Sequence, residues 1–143
     1  METEMVRRQL GGESGIGASV GTGLEWVEAV ENGFLPDAID AAVGSGLLTW
    51  DEVDQIVIPR RTLNHRKAHE RRLTLDQSDR LLRIARVTAE AESAFANAEK
   101  AHRWLRKPSR PLGHAVPLQM LRTSTGADLV REELVRIQHG IFV

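Results

Sequence analysis

Residues 98–140 read AEKAHRWLRKPSRPLGHAVPLQMLRTSTGADLVREELVRIQHG, and the punctuation of this stretch decides the fold. Ala101, Trp104 and Leu105 fall on one side of a helix predicted over Ala98 to Lys107. Pro108 and Pro111 end it and stiffen the loop that presents Leu112 and Gly113. Pro117 is suited to start a short helix carrying Leu118 and Leu121. A closing helix then follows Thr123 to Thr125, with Ala127, Val130, Leu134 and Ile137 as one apolar stripe. Gly140 is placed as its left-handed cap. Beyond it, Ile141, Phe142 and Val143 form an apolar tail ending in a carboxylate. Two readings of that tail stay open: it folds back on its own helix, or it enters a partner's cleft.

Upstream the pattern is also helical, and no alternating strand pattern interrupts it, so the expected fold class is all-α. Trp26, Val27 and Val30 share a face, and Gly33 follows as a helix-ending residue. Pro36 opens the next helix, with Ile39, Ala42 and Val43. Thr49-Trp50-Asp51-Glu52 is a capping box, and the helix it starts, with Val53 and Ile56, must stop before Pro59. Thr74-Leu75-Asp76-Gln77 is a second box, opening a long helix through Leu81, Leu82, Ala85, Thr88 and Phe95. Residues 1–23 are rich in Gly and Ser, too poor in apolar surface to offset ordering entropy, and are expected as a flexible arm. The expected division is therefore that arm, a helix-turn-helix region over 24–74, and the long helix with a C-terminal module over 75–143.

The two short helices around Val57-Ile58 have the form of a helix-turn-helix, with the second running from Pro59 or Arg60 through Arg66 and beyond. Between Arg60 and Arg72 six cations (Arg60, Arg61, Arg66, Lys67, Arg71 and Arg72) face one acid, Glu70, in a chain whose net charge is −1. That concentration on the second helix of a bihelical unit suits DNA better than a merely solvated face. The candidate contacts are Arg60, Arg61, Thr62, Asn64, His65, Arg66, Lys67 and Arg71, with Leu63 turned inward as the anchor. Arg matches guanine O6 and N7, and Asn matches adenine N6 and N7. Val57 stands where many such turns carry Gly, which implies a turn of different angle or length.

Composition excludes more than it assigns. Aromatics are 4% of the 143 residues, so the core must be built from aliphatic residues, as in packed helices. Cys is absent, which removes disulfides, thiolate catalysis and Cys-based zinc sites. No apolar run approaches a membrane span and no apolar signal core follows the N-terminal Arg pair, which points to a soluble, cytoplasmic protein. His65 and His69 have metal-ligand spacing, but Arg66-Lys67-Ala68 between them supplies no base and repels a cation. Asp128, Glu132 and Glu133 are expected as solvated charges on the last helix. No nucleophile elbow and no phosphate loop are present, so no enzymatic role, cofactor or metal is expected.

The C-terminal pattern from Trp104-Leu105 through Pro108, Leu112-Gly113, Pro117-Leu118, Leu121, Thr123, Gly126, Val130, Leu134, Ile137 and Gly140 resembles the toxin-binding domain of the Xre/MbcA/ParS antitoxins. That family places an Xre-like helix-turn-helix region ahead of it. Ile58-Pro59-Arg60-Arg61-Thr62-Leu63 and Leu73-Thr74 through Leu81-Leu82-Arg83-Ile84-Ala85 resemble its linking region, so the resemblance spans roughly Gly33 to Gly140.

The resemblance implies a type II antitoxin that neutralises a cognate RES-domain toxin, an NAD-degrading enzyme, by blocking its active site, and that represses its own operon. It implies toxin contacts at Leu112, Gly113, Ile141, Phe142 and Val143. The implied partners are that toxin, operator DNA and a second copy, since helix-turn-helix repressors read paired half-sites. A higher toxin–antitoxin assembly would follow. A stand-alone helix-turn-helix transcription regulator without a toxin, and an adaptor that uses the C-terminal module without DNA, are the two rivals from other classes.

Overall fold

Side chains close the starts of the helices that begin at Gly23, Trp50, Leu75, Ala98 and Ser124 in the computed structural model, which describes residues 2–140. The elements are α1 (Glu2–Gln9), α2 (Gly12–Ile16), α3 (Gly23–Asn32), α4 (Asp37–Gly44), α5 (Trp50–Ile56), α6 (Arg60–Ala68), α7 (Leu75–Phe95), α8 (Ala98–Leu105), a 3₁₀ turn (Arg110–Leu112), α9 (Pro117–Met120) and α10 (Ser124–Gln138). Among the described residues the only β feature is an isolated bridge between Ser109 and Ala115, so the fold is all-α. The chain divides into two compact units, 1–82 and 83–143, and the division falls inside α7 rather than ahead of it.

Both capping boxes read from the sequence are present. Thr49 Oγ1 accepts from the Glu52 N–H at 3.2 Å, and Glu52 Oε1 accepts in return from the Thr49 N–H at 2.9 Å. Thr74 and Gln77 exchange the equivalent pair at 3.1 and 2.9 Å. A third box was hidden in the Gly-rich N-terminus: Thr22 and Glu25 close the start of α3 in the same way.

The first unit corrects the expectation of a flexible arm over residues 1–23. That segment forms α1 and α2 and buries Val6, Leu10, Ile16 and Val20 in the core. Gly15 in this segment serves close approach rather than freedom. At Gly15 an added methyl would overlap the Leu10 carbonyl and press on the Ala38 backbone, so α2 and α4 pack at a distance only glycine permits. The Gly15 carbonyl also accepts from the Leu35 N–H at 2.8 Å, which ties α2 to the loop after α3.

That loop is the polar centre of the unit. The Phe34 N–H donates to Ser78 Oγ at 2.9 Å, and the Ser78 hydroxyl donates to the Thr74 carbonyl at 2.8 Å. The Leu73 N–H reaches the Phe34 carbonyl at 2.8 Å. Ser78 is buried, yet its hydroxyl is used in both directions, so its burial leaves no unmet donor. Around it pack Trp26, Phe34, Ile39, Leu47, Leu48, Val53, Ile56, Ile58, Leu63 and Leu81. Trp26 and Phe34 meet edge to face with ring centroids 6.4 Å apart. Val27, expected on the same buried face, is instead half exposed, because α3 turns only a narrow stripe inward.

In the second unit the core is Ile84, Ala85, Val87 and Ala91 of α7 with Ala101, Leu105, Leu118, Leu121, Ala127, Val130 and Leu134. Arg83 Nη1 donates to the Leu121 carbonyl at 3.2 Å, and Arg131 Nε lies 3.1 and 3.0 Å from the two Glu90 oxygens, fastening α7 to α9 and α10. Glu133, expected in solvent, is buried and accepts from Arg136 Nη1 at 2.9 Å. Its position on the inward side of α10, between Val130 and Leu134, overrides the preference of a carboxylate for water. The three residues expected as a tail, Ile141, Phe142 and Val143, lie outside the described residues.

Candidate functional site

The basic helix is built on the α5–α6 turn. Val57 closes α5 at φ −119° and is buried with Ile58, so the turn needs no left-handed residue and Val is tolerated where glycine is common. Pro59 follows in extended conformation, and Asp54 Oδ1 accepts from the Arg60 N–H at 2.6 Å, supplying the start of α6 with the acceptor that Pro59 lacks. Leu63 is buried and anchors the helix, as its spacing predicted.

About Leu63 the eight candidate side chains sort into two groups. Arg60, Arg66 and Lys67 flank the anchored side and engage this protein's own groups. The Arg60 guanidinium lies 4.3 Å from the centroid of Trp50, Arg66 Nη1 donates to the Arg72 carbonyl at 2.5 Å, and Lys67 Nζ pairs with Asp40 at 2.8 Å. Arg61, Asn64 and His65 stand on the outward side and are exposed, with Thr62 half-buried at its margin. Arg71, in the following loop, is exposed and has no ion pair among the described residues. Arg72 donates to the Gly33 carbonyl at 3.0 Å and so braces the loop after α3. The six cations are thus not one uniform patch. Three hold the fold, Arg60 is fixed against an aromatic ring, and the outward face reduces to Arg61, Asn64 and His65 with Arg71 nearby. The His65 and His69 rings lie tilted at 53° with centroids 4.3 Å apart, and no cluster among the described residues is suited to a metal.

The C-terminal module presents Leu112 and Gly113 at the tip of a tight turn. The 3₁₀ turn ends on Gly113 at φ 67°, and the Ser109 N–H donates to the Ala115 carbonyl at 2.9 Å across its base. Leu112 is half-buried and Gly113 exposed. Gly140 takes φ 74° one residue past His139, which closes α10, the left-handed geometry its position suggested. Sequence reasoning missed the cationic side of α8. There His102, Arg103, Arg106 and Lys107, with the acid Glu99, line an open groove of about 640 Å³ whose floor is carbon. The signal was legible as Lys100, Arg103, Arg106, Lys107 and Arg110 against the single acid Glu99 between 98 and 110. The apolar stripe of Ala101, Trp104 and Leu105 on the same helix dominates its pattern and masks that signal.

Two family models match this arrangement. The antitoxin Xre-like helix-turn-helix domain covers residues 25–86, and the antitoxin Xre/MbcA/ParS C-terminal toxin-binding domain covers residues 90–140. Antitoxin Xre of Pseudomonas putida is 43% identical over 111 residues, 78% of this chain and 69% of the relative. Antitoxin Xre of Yersinia enterocolitica is 36% identical over 137 residues, 94% of this chain and 91% of the relative. A Prs ADP-ribosylating antitoxin of Sphingobium sp. is 29% identical over 98 residues, 62% of each chain. Across the described residues no helix is long and apolar enough to cross a membrane. With a helix-turn-helix domain followed by a toxin-binding domain, and with relatives named as antitoxins rather than enzymes, the chain belongs to the Xre/MbcA/ParS antitoxin family.

Proposed function

We propose that this antitoxin neutralises a RES-domain, NAD-degrading toxin in the cytoplasm by covering its active site, and that it represses its own operon as a dimer. The observation that carries the reading is the order of the two domains, with a helix-turn-helix match over 25–86 and a toxin-binding match over 90–140. NAD chemistry in the partner is supported by a relative whose name speaks of ADP-ribosylation, a reaction that draws its ADP-ribose from NAD. DNA contact falls to the outward face of α6, where Arg61, Asn64 and His65 are positioned for base edges and Arg71 for phosphate. Toxin contact falls to the second unit, through Leu112, Gly113 and the terminal Ile141, Phe142 and Val143. The last three are assigned to the toxin's cleft or its edge, as an apolar segment that obstructs entry.

Co-expression with the product of the adjoining reading frame tests this. Restored growth with maintained cellular NAD supports it; arrest in the presence of folded antitoxin contradicts it.

A further inference from the structure

We infer that the cationic side of α8 is a docking surface for an acidic, apolar-bearing segment of the toxin, distinct from the apolar tail. The inference rests on the antitoxin reading above and names a surface within it. Between residues 98 and 110 five cations stand against Glu99 alone, whereas α10 mixes Asp128, Glu132 and Glu133 with Arg131 and Arg136. Arg83, Arg86, Arg122, Arg131 and Arg136 elsewhere in this unit are matched by Glu90, Glu92, Asp128, Glu132 and Glu133, so its excess of positive charge is collected on α8 and the following loop.

The geometry gives that charge a shape. The groove along α8, lined by Ala98, Glu99, His102, Arg103, Arg106 and Lys107, is open, with three cations against the one acid Glu99, and its floor is formed by carbon rather than by polar atoms. Cations raised on methylene stems beside such a floor suit carboxylates interleaved with apolar side chains. Bare phosphodiester would meet the charges but leave the floor uncovered, so a protein segment is favoured over nucleic acid.

Part of the rim is also held in place in advance. His102 Nε2 lies 2.7 Å from Glu92 Oε2, and Arg106 Nη1 donates to the His102 carbonyl at 3.2 Å while facing its Nδ1 at 3.5 Å. With its proton on Nε2 the ring donates to Glu92 and leaves Nδ1 toward the guanidinium. Glu92 and His102 thus orient Arg106 before a partner arrives, which lowers the ordering cost of binding. Arg103 and Lys107 are exposed and have no ion pair among the described residues, so they are available at the rim.

The test uses the full chain and the toxin taken from the adjoining reading frame. R103E/K107E alters only exposed side chains, and circular dichroism melting confirms that it folds. The expected result is toxin affinity weakened at least about tenfold, mostly through slower association whose salt dependence is flattened. Binding of R103E/K107E to duplex operator should match wild type at equal salt. Unchanged toxin affinity would overturn the inference, as would a loss confined to duplex binding, which would make the surface a phosphate contact. If removal of residues 141–143 alone abolishes the effect of R103E/K107E, the groove receives this chain's own end and the inference also fails. A wild-type chain that does not bind the toxin at all would instead overturn the antitoxin–toxin reading, and this inference with it.

Discussion

Arg60 lies with its guanidinium 4.3 Å from the ring centroid of Trp50, so the first cation of the basic helix is held against the helix before it. A cation over an aromatic face gains from the ring quadrupole, and the contact fixes the angle between α5 and α6. The cation that the sequence most readily assigns to DNA is therefore partly a fold contact. Arg61, one residue on, carries no such engagement and points outward.

This separation predicts unequal effects along α6. Arg61→Ala and Asn64→Ala should each cost about 1–3 kcal/mol in operator affinity and relax base choice at one position. Arg60→Ala should lower thermal stability as well as affinity, because it releases Trp50. Arg71→Ala should weaken all duplexes alike and reduce the salt slope by about one. Fluorescence anisotropy against operator and scrambled duplexes measures all four. Equal operator affinity in an Arg61/Asn64 double alanine variant would refute the assignment of the reading face.

Ser78 holds the loop after α3 from 44 residues away in sequence. Ser78→Ala removes the acceptor for the buried Phe34 N–H, and an unmet buried donor costs about 1–3 kcal/mol. The urea midpoint should fall, with toxin binding by the other unit retained. A midpoint equal to wild type would mean that water replaces the hydroxyl.

Deletion of residues 1–21 should destabilise the helix-turn-helix unit. Val6, Leu10 and Ile16 are essentially fully buried, and each such side chain contributes about 1.5–3 kcal/mol on burial. A dispensable arm would leave the melting temperature unchanged.

Acid should loosen the start of α3. Glu25 accepts from the N–H groups of Gly21 first and Thr22 second, and these bonds hold its carboxyl below the usual glutamate value. A lowered folded value means the contribution is complete above the unfolded value and disappears as pH falls through the folded one. Glu25→Ala should therefore lower the melting temperature at about pH 7, by an amount that shrinks progressively as pH falls below the usual glutamate value. A difference that persists in acid would assign the effect to something other than the carboxylate.

The parts of the fold that were legible in the sequence are those written locally. Thr49 with Glu52, and Thr74 with Gln77, announce their helix starts within four residues, and the stripe from Ala127 through Leu134 announces an interior face. Family resemblance was legible in the C-terminal spacing of Trp, Pro and Gly. The N-terminus was misread because Gly15 has two physical meanings. In sequence it signals chain freedom, and in space it marks backbone touching backbone, which depends on Leu10 and Ala38. The division of the basic helix was illegible for the same reason. Trp50 and Asp40 decide which cations are engaged, and they sit 10 and 27 residues away from Arg60 and Lys67. Glu133 reads as a surface acid until the position of its helix face is known.

The terminal residues allow a sharp separation of roles. Removing Ile141, Phe142 and Val143 should reduce neutralisation far more than it reduces the melting temperature. The reverse pattern, a lower melting temperature with inhibition retained, would assign those residues to self-packing.

The most direct measurement is growth and cellular NAD in cells co-expressing the adjoining reading frame's product with the fragment 75–143, which keeps α7 whole, after circular dichroism has shown the fragment to be helical. The account predicts that this fragment alone sustains growth and NAD and co-purifies with the toxin, while having lost operator binding. A folded fragment that leaves cells arrested and depleted of NAD would contradict it.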